Sequence, residues 1–184
     1  MRTPASCSTL LVLILLAASS AADTNPARPA LPDGFFPFGA MHMSTISHWQ
    51  HYLPPLDEYV AYLDADLARM KEIGLNTLAV HVDWYDIEPA PGEFNFDRLD
   101  RIMDLASKNH LKVLLWPWPE LQPEWVARLH PHSLWLAADD YKPGPACWDD
   151  PAVRAAVERF VRTAVARYKD HPAVLAWDLG AEAG

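Results

Sequence analysis

Residues 75–116, LNTLAVHVDWYDIEPAPGEFNFDRLDRIMDLASKNHLKVLLW, contain the pattern that decides the fold. Two apolar runs, LNTLAVHV at 75–82 and LKVLLW at 111–116, predict strands that are covered on both faces. Between them, apolar residues recur at three- and four-residue steps over 96–106, which predicts a helix with Asn95 as its N-cap. A strand, a helix and a strand in this order predict a parallel pair joined by a right-handed crossover.

The same alternation continues on both sides of this unit. The other predicted elements are a strand at 35–43, a helix at 56–70, a short helix at 123–129, a long helix at 151–168 and a strand at 173–179. Gly74 ends the first helix, and Asp150 caps the long one, with Pro151 at its first position.

Two α/β architectures fit four parallel strands, a doubly wound sheet and a barrel. No Gly-rich turn follows the first strand, so the dinucleotide-binding fingerprint is absent. Polar and aromatic residues instead follow the strand ends, and these ends share one mouth in a barrel. We therefore predict a partial (β/α)8 TIM barrel over 35–184. Because a whole barrel typically needs about 250 residues, we expect strands 1 to 4 only, the N-terminal half.

The N-terminus has the pattern of an export signal. Residues 1–22 combine Arg2, an apolar run and small residues before an expected cleavage site, and a Pro-rich linker follows at 23–34. The alternative is a retained anchor. Cleavage predicts a secreted or periplasmic protein with no membrane attachment. It would also remove Cys7, so that Cys147 alone remains and no internal disulfide forms.

Composition excludes several classes of protein. Hydrophobic residues make up 51% of the 184 residues and charged residues 21%, which is typical of a folded domain. The chain has 15 Lys and Arg against 24 Asp and Glu, a net charge of −9 with no basic run, so we expect no nucleic-acid partner. The sequence indicates no cofactor, and it does not indicate an oligomeric state.

Glu182 is the candidate for chemistry. It comes three residues after the fourth predicted strand, where a barrel presents its catalytic groups. A carboxyl walled by Trp177 and other aromatic residues would have a raised pKa and be ready to protonate a leaving oxygen. The alternative is a solvated glutamate without a catalytic role.

Aromatic residues and histidines supply candidate binding residues. We expect a common cleft beside Glu182, bordered by four candidate binding residues: His42, Trp84, Trp118 and Trp177. Trp116, Trp118 and Trp125 fit either a platform on which a ligand stacks or ordinary packing, with Trp116 expected in the core. His81, Asp83 and Asp86 are spaced along one strand and its loop, where we expect alternation to separate their faces, so we predict no metal site.

Residues 36–184 resemble the N-terminal half of clan-A glycoside hydrolases, most closely the family 42 β-galactosidase type. The resemblance lies in FPFGAMHM at 36–43, in the Trp-x-x-x-Glu-Pro-x-x-Gly-x-Phe-x-Phe segment at 84–96, and in Pro-Glu-Trp at 123–125. A fourth strand that leads into Trp177 and Glu182 matches the position of the family's Asn-Glu pair. The resemblance implies that Glu182 is the acid/base of a retaining glycosidase and that the aromatic residues of the cleft contact a carbohydrate substrate. Glu88, which precedes Pro89 in the 84–96 segment, is expected to hold its loop through backbone hydrogen bonds and not to touch sugar.

Three departures from the family pattern bear on function. Ala181 stands where the family has the Asn that hydrogen-bonds the sugar 2-hydroxyl. Cys147 lacks the further cysteines of the zinc cluster that some relatives carry, so we predict no structural zinc. The nucleophilic Glu, which the family carries after the seventh strand, lies outside this sequence.

Three hypotheses follow from these residues. The first is an exported retaining glycosidase acting on β-galactosides or related β-glycosides, of which the 184 residues alone are inactive. The second is a non-catalytic carbohydrate-binding relative of the same fold, as Ala181 suggests. The third is an inactive truncated product. The sugar and the linkage are not encoded in any feature of this sequence.

Overall fold

The structure, a computed structural model, describes residues 31, 33–42, 55–136 and 143–179. The predicted signal segment, residues 43–54 and the C-terminal residues 180–184, which include Glu182, lie outside the described residues. In chain order the elements are β1 (Gly39–His42), α1 (Leu56–Glu72), β2 (Thr77–Asp83), α2 (Trp84–Ile87), α3 (Asp97–Lys108), β3 (Lys112–Trp118), α4 (Glu124–Leu129), a 3-10 turn (Pro131–Ser133), β4 (Leu134–Leu136), β5 (Pro143–Ala146), α5 (Pro151–Tyr168) and β6 (Val174–Trp177).

Four strands form one parallel sheet in the order β1-β2-β3-β6. This confirms the four predicted strands and their pairing. Strands β4 and β5 form a separate antiparallel pair that was not predicted. They have only three and four residues, and the β5 sequence PGPA lacks the alternation by which a strand is recognised.

The register divides the sheet into two faces. Leu78 pairs with Val113 and Val80 with Leu115, and all four are fully buried against the helices. The opposite side is called the inner face; it carries Ala79 opposite Leu114, and this side of the sheet is less covered.

The six strand residues predicted to be buried were Leu78, Val80, Val113, Leu114, Val174 and Leu175. The prediction is correct for four of them, but Leu114 and Leu175 are half-buried. Leu114 points to the inner face, where no described element packs over it. Leu175 lies where the pairing of β3 with β6 shifts register.

The helices bury their apolar stripes in one core with the strands. Leu63 on α1, Ile102 on α3 and Phe160 on α5 are at most 1% exposed. Each such side chain stabilises the fold by about 1.5–3 kcal/mol relative to the exposed state. As predicted, α5 lies on the outer side of the sheet, where Phe160 stacks on Trp84. No helix of the described part is long and apolar enough to cross a membrane.

A side-chain cap begins α5 as predicted. The Asp150 carboxylate accepts hydrogen bonds from the backbone N–H groups of Ala152 and Val153, at 2.8 and 3.2 Å. The N-cap of α3 is Phe96 and not the predicted Asn95, whose Oδ1 accepts from the Asp97 N–H at 2.8 Å from one position further upstream. These contacts satisfy donors that a helix leaves unpaired in its first turn.

Strand β1 is shorter than the predicted 35–43. Pro37 has no N–H to donate, and the residues around it are held by Asn76 instead of by a ladder. Phe38 N–H donates to Asn76 Oδ1 at 2.8 Å, and Asn76 Nδ2 donates to the Phe36 carbonyl at 2.9 Å. Gly39 then opens the strand, since a Cβ there would lie 1.8 Å from the Thr77 carbonyl oxygen.

Candidate functional site

The carboxyl ends of the parallel strands meet at one edge of the sheet. Asp83 ends β2 and Trp118 ends β3, and the two residues are partners in the register. Strand β6 runs in the same direction, and the Asp178 N–H after it donates to the Leu115 carbonyl at 2.9 Å. Glu182 follows the last described residue, Leu179, by three positions.

Four side chains form a cluster on the inner face at this edge. The inner-face cluster consists of His81, Asp83, Trp116 and Trp118. The two indoles are stacked with centroids 5.3 Å apart and planes 5° from parallel. The His81 imidazole stands perpendicular to both, 4.7 Å from Trp116 and 4.3 Å from Trp118. Its Nδ1 lies 4.0 Å from Asp83 Oδ1.

The inner-face cluster combines an apolar surface with buried polar groups. The indoles of Trp116 and Trp118 are half-buried, whereas the side chains of His81 and Asp83 are only 3% and 2% exposed. Aromatic faces next to a few fixed polar groups are typical of small-molecule sites, and they suit the apolar face of a sugar ring.

His81 and Asp83 were missed as site residues, because alternation was expected to separate them. They are two positions apart on β2, and residues at that spacing share a face. The period-2 rule, applied from β2 to β3, was the signal that could have found the cluster. The described residues include no group of three or more His, Cys, Asp or Glu that could hold a metal ion.

His42 lies on the opposite side of the sheet from the inner-face cluster. It pairs with Val80, which faces the helices, and its Nε2 is 2.9 Å from the Tyr59 hydroxyl on α1. Burial lowers the pKa of His42, although the Asp66 carboxylate opposes this. The structure therefore places His42 against α1 on the helix side of the sheet, and not in the cleft that the sequence predicted.

A partly buried ion pair between Arg98 and Asp86 lies beside the contact of His42 with Tyr59. The Arg98 guanidinium lies 4.7 Å above the Tyr59 ring, and Arg98 Nε is 3.5 Å from Asp86 Oδ2. Burial raises the pKa of the Asp86 carboxyl, and the positive charge of Arg98 opposes that rise. Burial likewise raises the pKa of Tyr59, so the phenol stays protonated at neutral pH. These residues join α1, α2 and α3 behind the sheet.

Trp84 lies in the core and does not border a cleft. It is 0% exposed, is stacked on Phe160 at 5.7 Å and meets Trp125 edge-on at 5.7 Å. The described residues already bury Trp84 completely, and any further part of the protein could only add to that burial. Its ring therefore has no free face on which a sugar could stack. The sequence correctly predicted that Trp84 follows the end of β2. Trp84 is, however, the first residue of α2, and its ring packs against Phe160 of α5.

Trp177 also faces the helix side. It pairs with Leu115, which is fully buried there, and its half-buried ring packs against the core. Of the four predicted binding residues, the structure brings only Trp118 to the inner face.

Glu88 holds the loop after β2 together, as expected, but chiefly through its side-chain carboxylate and not through backbone hydrogen bonds alone. Its buried carboxylate accepts from Trp84 Nε1 and from the Gly92 N–H, both at 2.7 Å, and from Arg159 Nη2 at 2.6 Å. Its carbonyl accepts from Trp125 Nε1 at 2.9 Å. Trp125 is therefore a core residue, whereas Trp116, which was expected in the core, is half-buried on the inner face.

Comparison with solved structures defines the class of protein. The chain is similar to the β-galactosidase from the psychrophilic Marinomonas ef1, with a TM-score of 0.61 and 27% identity over 79% of this chain and 22% of that one. It is also similar to the β-galactosidase from Halorubrum lacusprofundi, with a TM-score of 0.62 and 25% identity over 79% and 21%. The sheet is thus part of a TIM-barrel glycosidase fold.

Sequence comparison gives the family. A family model described as beta-galactosidase, glycoside hydrolase family 42, matches residues 52–184. The chain belongs to this family. A β-galactosidase from an Arthrobacter species is 36% identical over 65% of this chain, and β-galactosidase Pbg from Clostridium perfringens is 34% identical over 64%. The chain spans 18% of the length of each of these two relatives.

Proposed function

We propose that the protein expressed from the complete gene is a retaining glycosidase that acts on β-galactosides or related β-glycosides. Family membership and the names of the relatives support this proposal. The observation that carries it is the inner-face cluster at the carboxyl ends of β2 and β3, because this is where TIM-barrel enzymes place their active sites.

Glu182 is the proposed acid/base. It first protonates the leaving glycosidic oxygen, and then, as a carboxylate, it takes a proton from the water that hydrolyses the glycosyl-enzyme. The nucleophilic carboxylate comes from a part of the barrel beyond these 184 residues, about 5–5.5 Å from Glu182 in a retaining geometry. Because both carboxylates are needed, the 184 residues alone are expected to be inactive.

Trp118 is the proposed stacking surface for the sugar. It ends β3, the strand next to β6, and β6 leads toward Glu182. A pyranose ring on this indole would therefore lie at the carboxyl end of the sheet, where TIM-barrel enzymes place their catalytic groups. No metal or cofactor takes part in the proposed mechanism, since two carboxylates supply the acid, the base and the nucleophile.

Replacement of Glu182 tests the mechanism. E182Q removes the proton donor but keeps the size of the side chain, so kcat/KM for lactose should fall by about 10²–10⁴-fold. An activated aryl β-galactoside needs less acid assistance and should lose less in its glycosylation step. Asp178, four residues earlier, offers the control D178N. Equal kcat/KM for lactose in wild type and E182Q would show that Glu182 is not the acid/base.

A non-catalytic carbohydrate-binding protein is the second candidate, and Ala181 favours it. The missing Asn would remove a hydrogen bond that strengthens in the transition state but leave the stacking surface intact. Galactose binding by calorimetry, without turnover of lactose or of an aryl galactoside, would support this candidate over the enzyme.

We also propose that residues 1–22 are a cleaved export signal. Arg2, the short apolar run and the small residues after it support this proposal. N-terminal sequencing of the protein recovered outside the cytoplasm should begin near residue 23. An intact N-terminus on a membrane-bound product would instead indicate a retained anchor.

A further inference from the structure

A third ring contacts both indoles of the inner-face cluster. Trp116 and Trp118 are two positions apart on β3, so their side chains leave the same face of one strand. His81 on the neighbouring strand lies against both of them, 4.7 and 4.3 Å away, with interplanar angles of 84° and 88°. Edge-on and offset-stacked arrangements are the favourable ones for aromatic pairs.

The position of His81 is itself well determined. Its side chain is 3% exposed, and the register fixes its strand opposite Trp116. Asp83, on the same face, has its Oδ1 4.0 Å from His81 Nδ1, which is too long for a hydrogen bond. A buried ring on a central strand has few alternative rotamers, so it can act as a rigid stop for the indole beside it.

We propose that His81 is a positioning residue, which holds the Trp118 indole at the carboxyl end of the sheet as the surface on which a sugar ring stacks. This deepens the proposed function and rests on it, since it takes the ligand to be a sugar. His81 acts through Trp118 and does not itself touch the substrate.

Positioning of this kind has a specific kinetic signature. An indole that is already held in its bound orientation loses little conformational freedom when the ligand arrives, so affinity rises. A stacking contact made equally to substrate and transition state changes KM and leaves kcat unchanged. Loss of the imidazole should therefore raise KM by roughly three- to tenfold, the effect of releasing one or two side chains.

The kinetic test uses the protein expressed from the complete gene and lactose as the substrate. H81A should raise KM with kcat within about twofold of wild type, and H81F, which keeps a ring, should lie closer to wild type. W118A should raise KM as well, and H81A/W118A should raise it no further than W118A alone, because both changes remove one contact. H130Q replaces a histidine whose ring contacts His132 and should change neither constant.

The kinetic outcomes that overturn the proposal are distinct. A fall in kcat at unchanged KM in H81A would mean that His81 serves the chemistry. Additive effects of H81A and W118A would mean that the two residues act independently. If H81A does not fold, H81Q, which is polar and lacks a ring, takes its place and should behave as H81A does.

Circular dichroism separates this proposal from the proposed function. An indole held in one orientation in an asymmetric environment gives a near-ultraviolet signal, and the contribution of Trp118 is identified as the difference between wild type and W118F. H81A should weaken that contribution, while H81F and H130Q should retain it. If the wild type hydrolyses no β-galactoside, the proposed function fails, and the dichroism then decides the positioning proposal. An unchanged Trp118 contribution in H81A overturns it, whatever the activity.

Discussion

His110 at the end of α3 occupies the left-handed backbone position that Gly74 occupies at the end of α1. Their φ angles are 55° and 86°. In both loops the next residue's N–H reaches back to a helix carbonyl at 2.9 Å, Leu75 to Met70 and Leu111 to Ala106. The two helices therefore enter β2 and β3 through the same Schellman turn.

The difference between the two turns predicts a stabilising substitution. A side chain in the left-handed region costs about 1–2 kcal/mol, and glycine avoids this cost but loses about 0.5–1 kcal/mol through the entropy of the unfolded chain. H110G should therefore raise the free energy of unfolding in urea by roughly 0.5–1 kcal/mol. G74A should lower it by about 1 kcal/mol. A destabilised H110G would show that the His110 side chain makes contacts that outweigh the strain.

Local rules predicted most of the fold and only part of the site. Periodicity located the strands because apolar side chains such as those of Val80 and Val113 have to be buried, and this requirement is visible in the local sequence. The same reasoning placed Trp84 and Trp118 alike after strand ends. One ring then lies in the core and the other on the inner face, because α2 redirects the chain immediately after Asp83. The direction of a side chain beyond a strand end depends on tertiary packing, and for His42 it depends on a register that only the paired sheet supplies.

Glu88 and Arg159 predict an asymmetric pair of substitutions. The Glu88 side chain is 0% exposed, whereas that of Arg159 is 41% exposed. E88Q weakens charge-assisted bonds to Arg159 and to the Gly92 N–H, so it should cost about 2–3 kcal/mol in urea denaturation. R159M leaves Glu88 with its bonds from Trp84 and Gly92 but leaves a buried carboxylate without its counter-charge, so it should cost more, about 3–5 kcal/mol. The opposite order of the two losses would contradict a buried Glu88 at the centre of this loop.

Asp100 predicts an acid-dependent contribution to stability. Burial tends to raise the pKa of Asp100, but hydrogen bonds from Arg167 and Tyr168 outweigh it and hold the pKa below the ordinary value. A lowered pKa in the folded state stabilises the protein above the unfolded pKa of about 3.9, and this contribution is lost as pH falls through the folded pKa. Because the pair is partly exposed and screened by solvent, D100N should cost only about 0.5–1 kcal/mol at pH 7.

The same variant supplies the pH test for Asp100. The difference in Tm between wild type and D100N should be constant above about pH 5 and shrink below about pH 4, the range in which the wild-type carboxylate begins to take up a proton. D104N, on the same helix, is the control, since Asp104 has no hydrogen bond to Arg167. A Tm difference that grows as pH falls would reverse the sign and contradict the assignment.

Ala181 predicts a gain of activity. In the family an Asn before the acid/base hydrogen-bonds the sugar 2-hydroxyl, and this bond strengthens in the transition state. A181N in the protein expressed from the complete gene should therefore raise kcat for an aryl β-galactoside by about tenfold, the equivalent of about 1.4 kcal/mol. The matched control is A181L, which adds a side chain of similar size without a hydrogen-bonding group. The corresponding 2-deoxygalactoside lacks the hydroxyl, so A181N should bring it no gain in kcat. An equal gain on both substrates would show that the introduced amide acts through folding or packing and not through the 2-hydroxyl.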